Sequence, residues 1–146
     1  VETRKPSKSG KTMVKYYELS DAANENIMYK AVHFNHPCTI WTRESLQNYA
    51  WHYDHFMALC YEYQYRYKKI HYTQQILEDP LSIPPRNIPN KGLTPFRHAM
   101  DHEPQCKMED PVESYQAYYK TKKSKFKMAW TGRSIPEWFG GTKVNV

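Results

Sequence analysis

Long apolar runs are missing from this 146-residue sequence. No stretch reaches the length of a membrane-spanning helix, and the N-terminus has no apolar segment that could act as a signal peptide. The sequence therefore predicts a soluble, cytoplasmic protein without a membrane partner.

Cysteine is also scarce. Cys38, Cys60 and Cys106 are odd in number, widely spaced and free of any CxxC pair. This indicates reduced, packed thiols rather than a disulfide framework or a cysteine zinc site. Histidines occur in three close pairs, at 33/36, 52/55 and 98/102, but neither HExxH nor a comparable pattern adds a third ligand. We expect no metal ion.

Glycine is rare, with five in the chain. Neither GxGxxG nor GxxxxGKS/T is present, so Rossmann and P-loop chemistry have no support from the sequence. The GxSxG pattern of serine hydrolases is also absent. We expect no cofactor, and no motif identifies a reaction.

The sequence is rich in aromatic side chains and positive charge. It has thirteen Tyr, five Phe and four Trp, and its formal net charge is +6. An excess of Lys and Arg favours polyanionic partners through phosphate contacts and the release of counterions. The alternative is that a modest positive charge merely keeps a small protein in solution. We predict nucleic acid as the partner and leave the oligomeric state open.

The fold class follows from a long segment without Gly or Pro. Residues 42–75 contain neither, and Tyr49, Tyr53 and Met57 recur at helical spacing within this segment. The pattern predicts one long central helix with a buried face. The chain is predicted to be mainly α, with a compact helical domain over residues 13–146.

The segments around this helix have distinct compositions. Residues 1–12 combine Lys, Ser, Gly and Pro with almost no apolar side chain, which predicts a flexible basic arm. Residues 13–19 are β-compatible and indicate a short β-hairpin near the N-terminus. Five prolines between Asp79 and Pro95 predict an extended connector, because proline removes backbone donors and interrupts a helix.

A second, C-terminal helix is predicted from its start signature. The sequence DPVE at 110–113 combines a capping oxygen, a proline at the first helical position and a carboxylate three residues after the cap. We predict a helix over residues 111–125. Its inward side chains, which include Tyr115 and Tyr118, are expected to pack against the long helix.

The polar face of the predicted long helix carries the catalytic candidates. Asn48, His52, Glu62 and Arg66 share this face, together with His55 as a binding candidate. Acid–base chemistry needs a carboxylate or imidazole whose pKa is set by a nearby charge. Glu62 and Arg66 have the required helical spacing. The alternative is an ordinary surface ion pair worth about 0.2–0.5 kcal/mol.

Lysines crowd the end of the second predicted helix. The binding candidates are Lys120, Lys122, Lys123 and Lys125, with aromatic residues interleaved. Such a surface suits phosphate contacts, with rings available for base stacking. The alternative is a solvated helix end whose cations complement the helix dipole.

Three blocks of the sequence resemble an uncharacterised family of proteins from tailed bacteriophages and bacteria. They are HPCTIWTRESLQNYAWHYDHFMALCYEYQYRYKKIH at 36–71, LTPFRHAM at 93–100, and DPVESYQAYYKTKKSKFKMAW with RSIPEWF at 110–139. The family pattern is approximately HPxxxWxRxSxxNYxWLxxLxxxLCxEYxxRYGKxH, then TPFxxAMP, then DPVxAYRxYY and PEWF. The resemblance covers most of residues 31–139.

The resemblance implies further binding residues and a phage or bacterial origin, more than it implies an activity. Trp51, Tyr63, Tyr67 and His71 fall at patterned positions, as do three of the catalytic candidates. The family in turn is distantly similar to the small helical pyrimidine-dimer DNA glycosylases of phages. Those enzymes use an N-terminal amine as nucleophile with a glutamate nearby, for which residues 1–12 offer no equivalent scaffold.

Three functions remain open at this point. The first is a nucleic-acid-directed enzyme, such as a DNA lesion glycosylase or lyase, with Glu62 as acid or base and Arg66 holding phosphate or Glu62 itself. The second is a non-catalytic phage accessory protein that binds nucleic acid or a host protein. The third is an enzyme for a small molecule or nucleotide. A pocket containing Asn48, His52 and Glu62 favours chemistry, whereas full exposure of Glu62 favours a solvated helix face.

Overall fold

The computed structural model of the chain describes residues 2–141, whose regular structure is mainly α-helical. An antiparallel hairpin of β1 (Glu2–Pro6) and β2 (Met13–Tyr17) comes first. The helices that follow are α1 (Ala22–Ile27), α2 (Pro37–Glu44), α3 (Leu46–Tyr67), α4 (Tyr72–Ser82) and α5 (Pro111–Thr121). Single 3₁₀ turns lie at Pro104–Cys106, Lys122–Ser124 and Glu137–Phe139. The predicted helical class and the N-terminal hairpin are confirmed.

The predicted long central helix is confirmed as α3, but it is shorter than the predicted range of residues 42–75, because breaks at Ser45 and after Tyr67 separate it from α2 and α4. Ser45 has extended backbone (φ −154°) and its side chain accepts from the backbone N–H of Gln47 at 3.2 Å, so it ends α2 and begins α3. Lys68 adopts the left-handed conformation (φ 55°) and ends α3. His71 then caps α4 through Nδ1.

The proline-rich connector begins later than expected. Helix α4 continues through Pro80 to Ser82, so the irregular segment starts at residue 83. It lies across the α2–α3 junction, where the N–H of Leu46 donates to the carbonyl of Pro89 at 2.9 Å. The N–H of Gly92 donates to the side chain of Gln47 at 3.0 Å. The connector is therefore laid across the helices, which is one of the two paths open to an extended, proline-rich segment.

Helix α5 begins at Pro111, as the capping signature predicted. The side chain of Asp110 accepts from the N–H of Val112 at 2.7 Å. The helix ends at Thr121 rather than near residue 125, and a 3₁₀ turn follows. Ser114 is fully buried and ties this helix start to the preceding chain, since its hydroxyl accepts from the N–H of Met108 at 2.8 Å.

The expected packing of the long helix directly against α5 was also wrong. Tyr49 and Tyr53 of α3 donate their hydroxyls to carbonyls of α4, at 2.8 and 3.2 Å. Tyr115 of α5 instead donates to the carbonyl of Arg97 at 2.9 Å. Burial raises the pKa of the Tyr115 hydroxyl to about 12. Aromatic hydroxyls thus connect α3 to α4, and α5 to the chain that precedes it.

The buried apolar core is small. Its members among the described residues are Trp41, Met57, Cys60, Met100, Cys106 and Phe139. The hairpin lies outside this core and contacts the following chain through a stack of Tyr17 on Phe34, with ring centroids 4.6 Å apart. Strand β1 occupies residues 2–6 of the segment expected to be a flexible arm. Its mobility, and the domain boundaries, stay predictions.

No helix among residues 2–141 is long and apolar enough to cross a membrane.

Candidate functional site

A cleft of about 500 Å³ opens between α2, α3 and α5. We call it the aromatic cleft, because rings form most of its wall. Its lining comprises Cys38, Trp41, Trp51, His52, His55, Phe96, Arg97, Pro111, Val112, Tyr115, Gln116, Tyr119 and Trp138. Its volume falls within the range of about 300–1,000 Å³ that is usual for small-molecule and cofactor sites.

Three rings form one side of the aromatic cleft. The rings of Trp41 and Trp51 meet edge to face at 5.6 Å, and Phe96 lies 4.9 and 4.7 Å from them. Trp41 is buried, and its indole N–H donates to the carbonyl of Thr94 at 3.1 Å. Trp51 is 40% exposed, and His55 stacks on it at 5.2 Å. Trp51 therefore exposes part of its ring to the cleft while contacts with neighbouring rings hold it in position.

Asn48 holds this aromatic wall in place. Its side-chain amide donates to the carbonyl of Trp41 and to the hydroxyl of Thr94, both at 2.7 Å. Its carbonyl oxygen accepts from the N–H of Thr94 at 2.9 Å. The residue is completely buried. The structure thus places this catalytic candidate behind the cleft, where it positions α2 and the connector.

His52 lines the cleft and contacts Thr42 through Nδ1. The Thr42 hydroxyl lies 2.7 Å from the carbonyl of Cys38 and 2.6 Å from Nδ1 of His52. When the single hydroxyl proton goes to the Cys38 carbonyl, Nδ1–H donates to Thr42 and Nε2 is left as an acceptor. Burial, together with nearby His55, lowers the pKa of the His52 imidazole, which favours the neutral ring.

Glu62 and Arg66 lie outside the residues that line the cleft. Glu62 accepts from Arg66 at 2.7 Å and from Arg133 at 2.8 Å. Hydrogen bonds from Arg133 and then Arg66 hold the pKa of Glu62 at about 2, below the ordinary value of 4.5. A carboxylate of such low pKa stays ionised and is a weak base. Arg66 also donates to the carbonyl of Ala129 at 3.3 Å, so this cluster joins α3 to the C-terminal segment.

The other predicted binding aromatics lie at the far end of α3. The ring of Tyr63 is 4.8 Å from Tyr67 and meets His71 edge to face at 4.7 Å. This group surrounds the turn between α3 and α4. It is separate from the lining of the aromatic cleft.

The four predicted lysines divide into two kinds. Lys122 lies over the ring of Tyr118 at 4.1 Å, and Lys123 lies over Phe139 at 4.4 Å. Lys120 and Lys125 have no such ring contact, and both are exposed, as is Lys123. Within residues 2–141, no carboxylate pairs with any of the four.

The lysines lie beside the cleft through the geometry of α5. Lys120 follows Gln116 by four residues, and residues at this spacing share one helix face. Gln116 and Tyr119 line the cleft. The Lys123 ammonium donates to the carbonyl of Phe139 at 2.9 Å, next to Trp138 of the lining. Positive charge therefore borders the α5 side of the aromatic cleft.

Trp51, His52 and His55 are the predicted residues that the cleft brings together. Sequence reasoning missed Trp41, Phe96 and Trp138 as site residues, along with the Cys38 thiol and the Arg97 guanidinium, whereas Tyr119 was among the rings expected beside the lysines. The missed residues come from separate segments, so no periodic signal connects them. The available signal was their occurrence within the three sequence blocks that resemble the phage family.

Comparison with known proteins gives no match: no protein-family model, curated protein or solved structure is similar to the chain. Membership of the phage and bacterial family stays a prediction. Among the described residues, no group of three His, Cys, Asp or Glu side chains could hold a metal ion.

Proposed function

We propose that the protein binds single-stranded nucleic acid and seats one unstacked base in the aromatic cleft. The observation that carries the proposal is an exposed aromatic wall beside a helix end rich in lysine. Base stacking on an aromatic side chain contributes about 1–3 kcal/mol per base and suits every base, because each has a flat face.

The cleft fits a single planar ring system better than a duplex. Bases inside a duplex are stacked on both faces, so only an unpaired or extruded base can reach such a wall. Trp51 and Tyr119 are the partly exposed rings for stacking, at 40% and 51% exposure. Nε2 of His52 and the amide of Gln116 supply an acceptor and a donor for the base edge.

The phosphates belong on the lysines of the α5 end. Lys120 and Lys125 are exposed and lack carboxylate partners in the described part of the chain. Each phosphate contact to a single strand makes the slope of log affinity against log salt more negative by about 0.7. The resemblance to a phage family agrees with a nucleic-acid partner.

The proposal is for binding and not for lesion chemistry at Glu62. The strong ion pairs of Glu62 with Arg66 and Arg133 favour a role in holding the C-terminal segment. The runner-up function is an enzyme or binding protein for a free nucleotide or another aromatic small molecule. That alternative is favoured by the apolar lining with few polar groups, which is typical of small-ligand sites.

Fluorescence anisotropy separates these functions. The probes are a labelled oligothymidine, the same strand in an undamaged or ultraviolet-irradiated duplex, and free nucleotides as competitors. We expect the single strand to bind more tightly than the undamaged duplex, and free nucleotides to compete weakly. Incision of the irradiated duplex would favour the lesion enzyme, and stronger binding of a mononucleotide would favour the small-molecule function.

A pair of tyrosine variants connects the binding to the cleft. Tyr119→Ala removes an exposed ring from the lining, and Tyr61→Ala removes a similarly exposed ring of α3 outside it. We expect the first change to weaken single-strand binding about tenfold, which corresponds to one lost stack. The second should leave affinity unchanged. Equal effects of the two changes, or no binding by the parent protein at low salt, would refute the proposal.

A further inference from the structure

Apolar side chains are exposed over residues 13–34 of the N-terminal segment, which is defined here as residues 2–34. Eight large apolar or aromatic residues between positions 13 and 34 are exposed. The most accessible are Val32 at 70%, Tyr29 at 61% and Met13 at 59%. Single exposed apolar residues are common, but a continuous exposed set usually marks an interaction surface.

The hairpin in this segment has no covered face. Met13 and Val14 are consecutive strand residues, so they lie on opposite faces, and both are exposed. A two-stranded hairpin alone is marginally stable in water and needs further strands or a packed face. The contacts that anchor it locally are the stack of Tyr17 on Phe34 and a hydrogen bond from the N–H of Leu19 to Glu25 at 2.7 Å. The hairpin therefore gains stability from any surface that covers it.

The solvent-accessible surface of the chain is large enough for an interface that buries the hairpin. The chain exposes 11,330 Å². A folded monomer of 17.5 kDa exposes roughly 7,900 Å². Permanent homodimer interfaces bury about 2,000–5,000 Å² in total from both partners. The excess on each chain is sufficient for its half of an interface of this size.

Charge indicates which surface covers the hairpin. Residues 2–18 contain five cations and two carboxylates. In the strand register Arg4 lies directly opposite Lys15, a like-charge arrangement that is unfavourable. Lys8 and Lys11 near the turn are exposed and form no ion pair within the described residues. The hairpin thus suits an acidic partner surface with exposed apolar side chains.

The chain itself offers such a surface in the segment at residues 101–113, which we call the acidic segment. It holds five carboxylates and a single lysine. Met108 and Val112 are exposed within it, at 44% and 56%. The ion pairs of the hairpin lie within residues 2–18, where Lys5 pairs with Glu18 and Lys15 with Glu2. Within the acidic segment Asp101 pairs with Lys107 and Asp110 caps α5, whereas Glu109 and Glu113 form no ion pair within the described residues and can receive the hairpin of another copy.

We propose that the protein forms a symmetric dimer in which the N-terminal segment of each copy docks on the acidic segment of the other. Two-fold symmetry makes the contact reciprocal, because the same pair of surfaces meets twice. The contact buries the exposed apolar residues of both segments and places carboxylates beside the hairpin cations. This goes beyond nucleic-acid binding; because Val112 also lines the aromatic cleft, the docked segment lies beside the proposed base site.

Charge reversal tests the proposed contact by sedimentation equilibrium. The hairpin variant carries Lys8→Glu and Lys11→Glu, and the acidic-segment variant carries Glu109→Lys and Glu113→Lys. We expect the parent protein to form dimers that weaken at high salt. Each variant alone should associate at least tenfold more weakly, because like charges then meet at both contacts.

An equal mixture of the two variants is the decisive measurement. Each contact of the mixed dimer joins opposite charges again, so association should return towards the parent value. The control variant reverses the exposed Lys68 and Lys69 at the end of α3, and it should associate like the parent. Thermal unfolding of every variant verifies that the monomer remains folded.

Three results would overturn the dimer. They are a parent protein that stays monomeric at every concentration, association that neither reversal alters, and a mixture that fails to recover. If the parent is monomeric and the hairpin variant loses affinity for the oligonucleotide, the hairpin belongs to the nucleic-acid surface instead.

Discussion

Asn48 and Thr94 are joined by two reciprocal hydrogen bonds across 46 positions of the sequence. The Asn48 amide donates to the Thr94 hydroxyl at 2.7 Å, and the Thr94 N–H donates to Asn48 at 2.9 Å. A third bond connects the same amide to the carbonyl of Trp41. One buried side chain therefore fixes the connector to the helix pair and sets the aromatic wall of the cleft.

Replacing Asn48 should destabilise the fold. Asn48→Ala leaves the buried carbonyl of Trp41 and the partly buried N–H of Thr94 without this partner, at a cost of about 1–3 kcal/mol for a fully buried unsatisfied group. We expect the free energy of unfolding in urea to fall by at least 2 kcal/mol. The matched change Gln64→Ala, at an exposed position of α3, should stay within about 0.5 kcal/mol of the parent. Equal stabilities of the two variants would contradict a stabilising role for the hydrogen bonds of Asn48.

Glu62 should contribute stability that depends on pH. Its folded-state pKa of about 2 lies below the ordinary 4.5, so its stabilising effect is fully present above about pH 4.5 and is lost as pH falls towards 2. We expect Glu62→Gln to be less stable than the parent at neutral pH, with a difference that shrinks through this window. Asp54→Asn, at an exposed carboxylate of the same helix, is the control. A difference that is constant with pH would argue against the ion pairs with Arg66 and Arg133.

Ligand binding should protect Cys38 from alkylation. Cys38 is partly exposed and lines the cleft, whereas Cys60 and Cys106 are buried at 5% and 3% exposure. We expect iodoacetamide to modify Cys38 first in the native protein, and oligothymidine to slow that modification. Mass spectrometry of peptides locates the label. Equal modification rates with and without a bound oligonucleotide would place the bound strand elsewhere.

The lysines of the α5 end should determine the salt dependence of binding. Changing Lys120, Lys122, Lys123 and Lys125 together to Gln should make the slope of log affinity against log salt shallower by about 0.7 for each phosphate contact removed. Lys68→Gln with Lys69→Gln provides a control at another basic site. Circular dichroism verifies that α5 is retained. An unchanged slope in the four-lysine variant would exclude this helix end from the phosphate contacts.

Local chemistry made some elements predictable. The start of α5 follows from the side chain of Asp110 and the proline after it, which act within one turn. The break at Ser45 escaped prediction because serine is also compatible with a helix interior. The Ser45 hydroxyl donates to the carbonyl of Gly92 at 2.5 Å, and this contact depends on a segment 47 residues away. The left-handed conformation at Lys68 also escaped prediction, because the residue is not the glycine that usually indicates such a helix end.

The candidate site likewise combines features that the sequence determined with features that depend on contacts between distant segments. The sequence alone determined that Trp51, His52 and His55 share a region of one helix, because helical spacing relates neighbouring turns. It also determined that lysines cluster at the end of α5. Only the tertiary structure separated Glu62 from the cleft, by pairing it with Arg133 from 71 positions away. It also brought Trp41, Phe96 and Trp138 to one wall, because contacts between distant segments depend on how the helices pack and not on any local spacing.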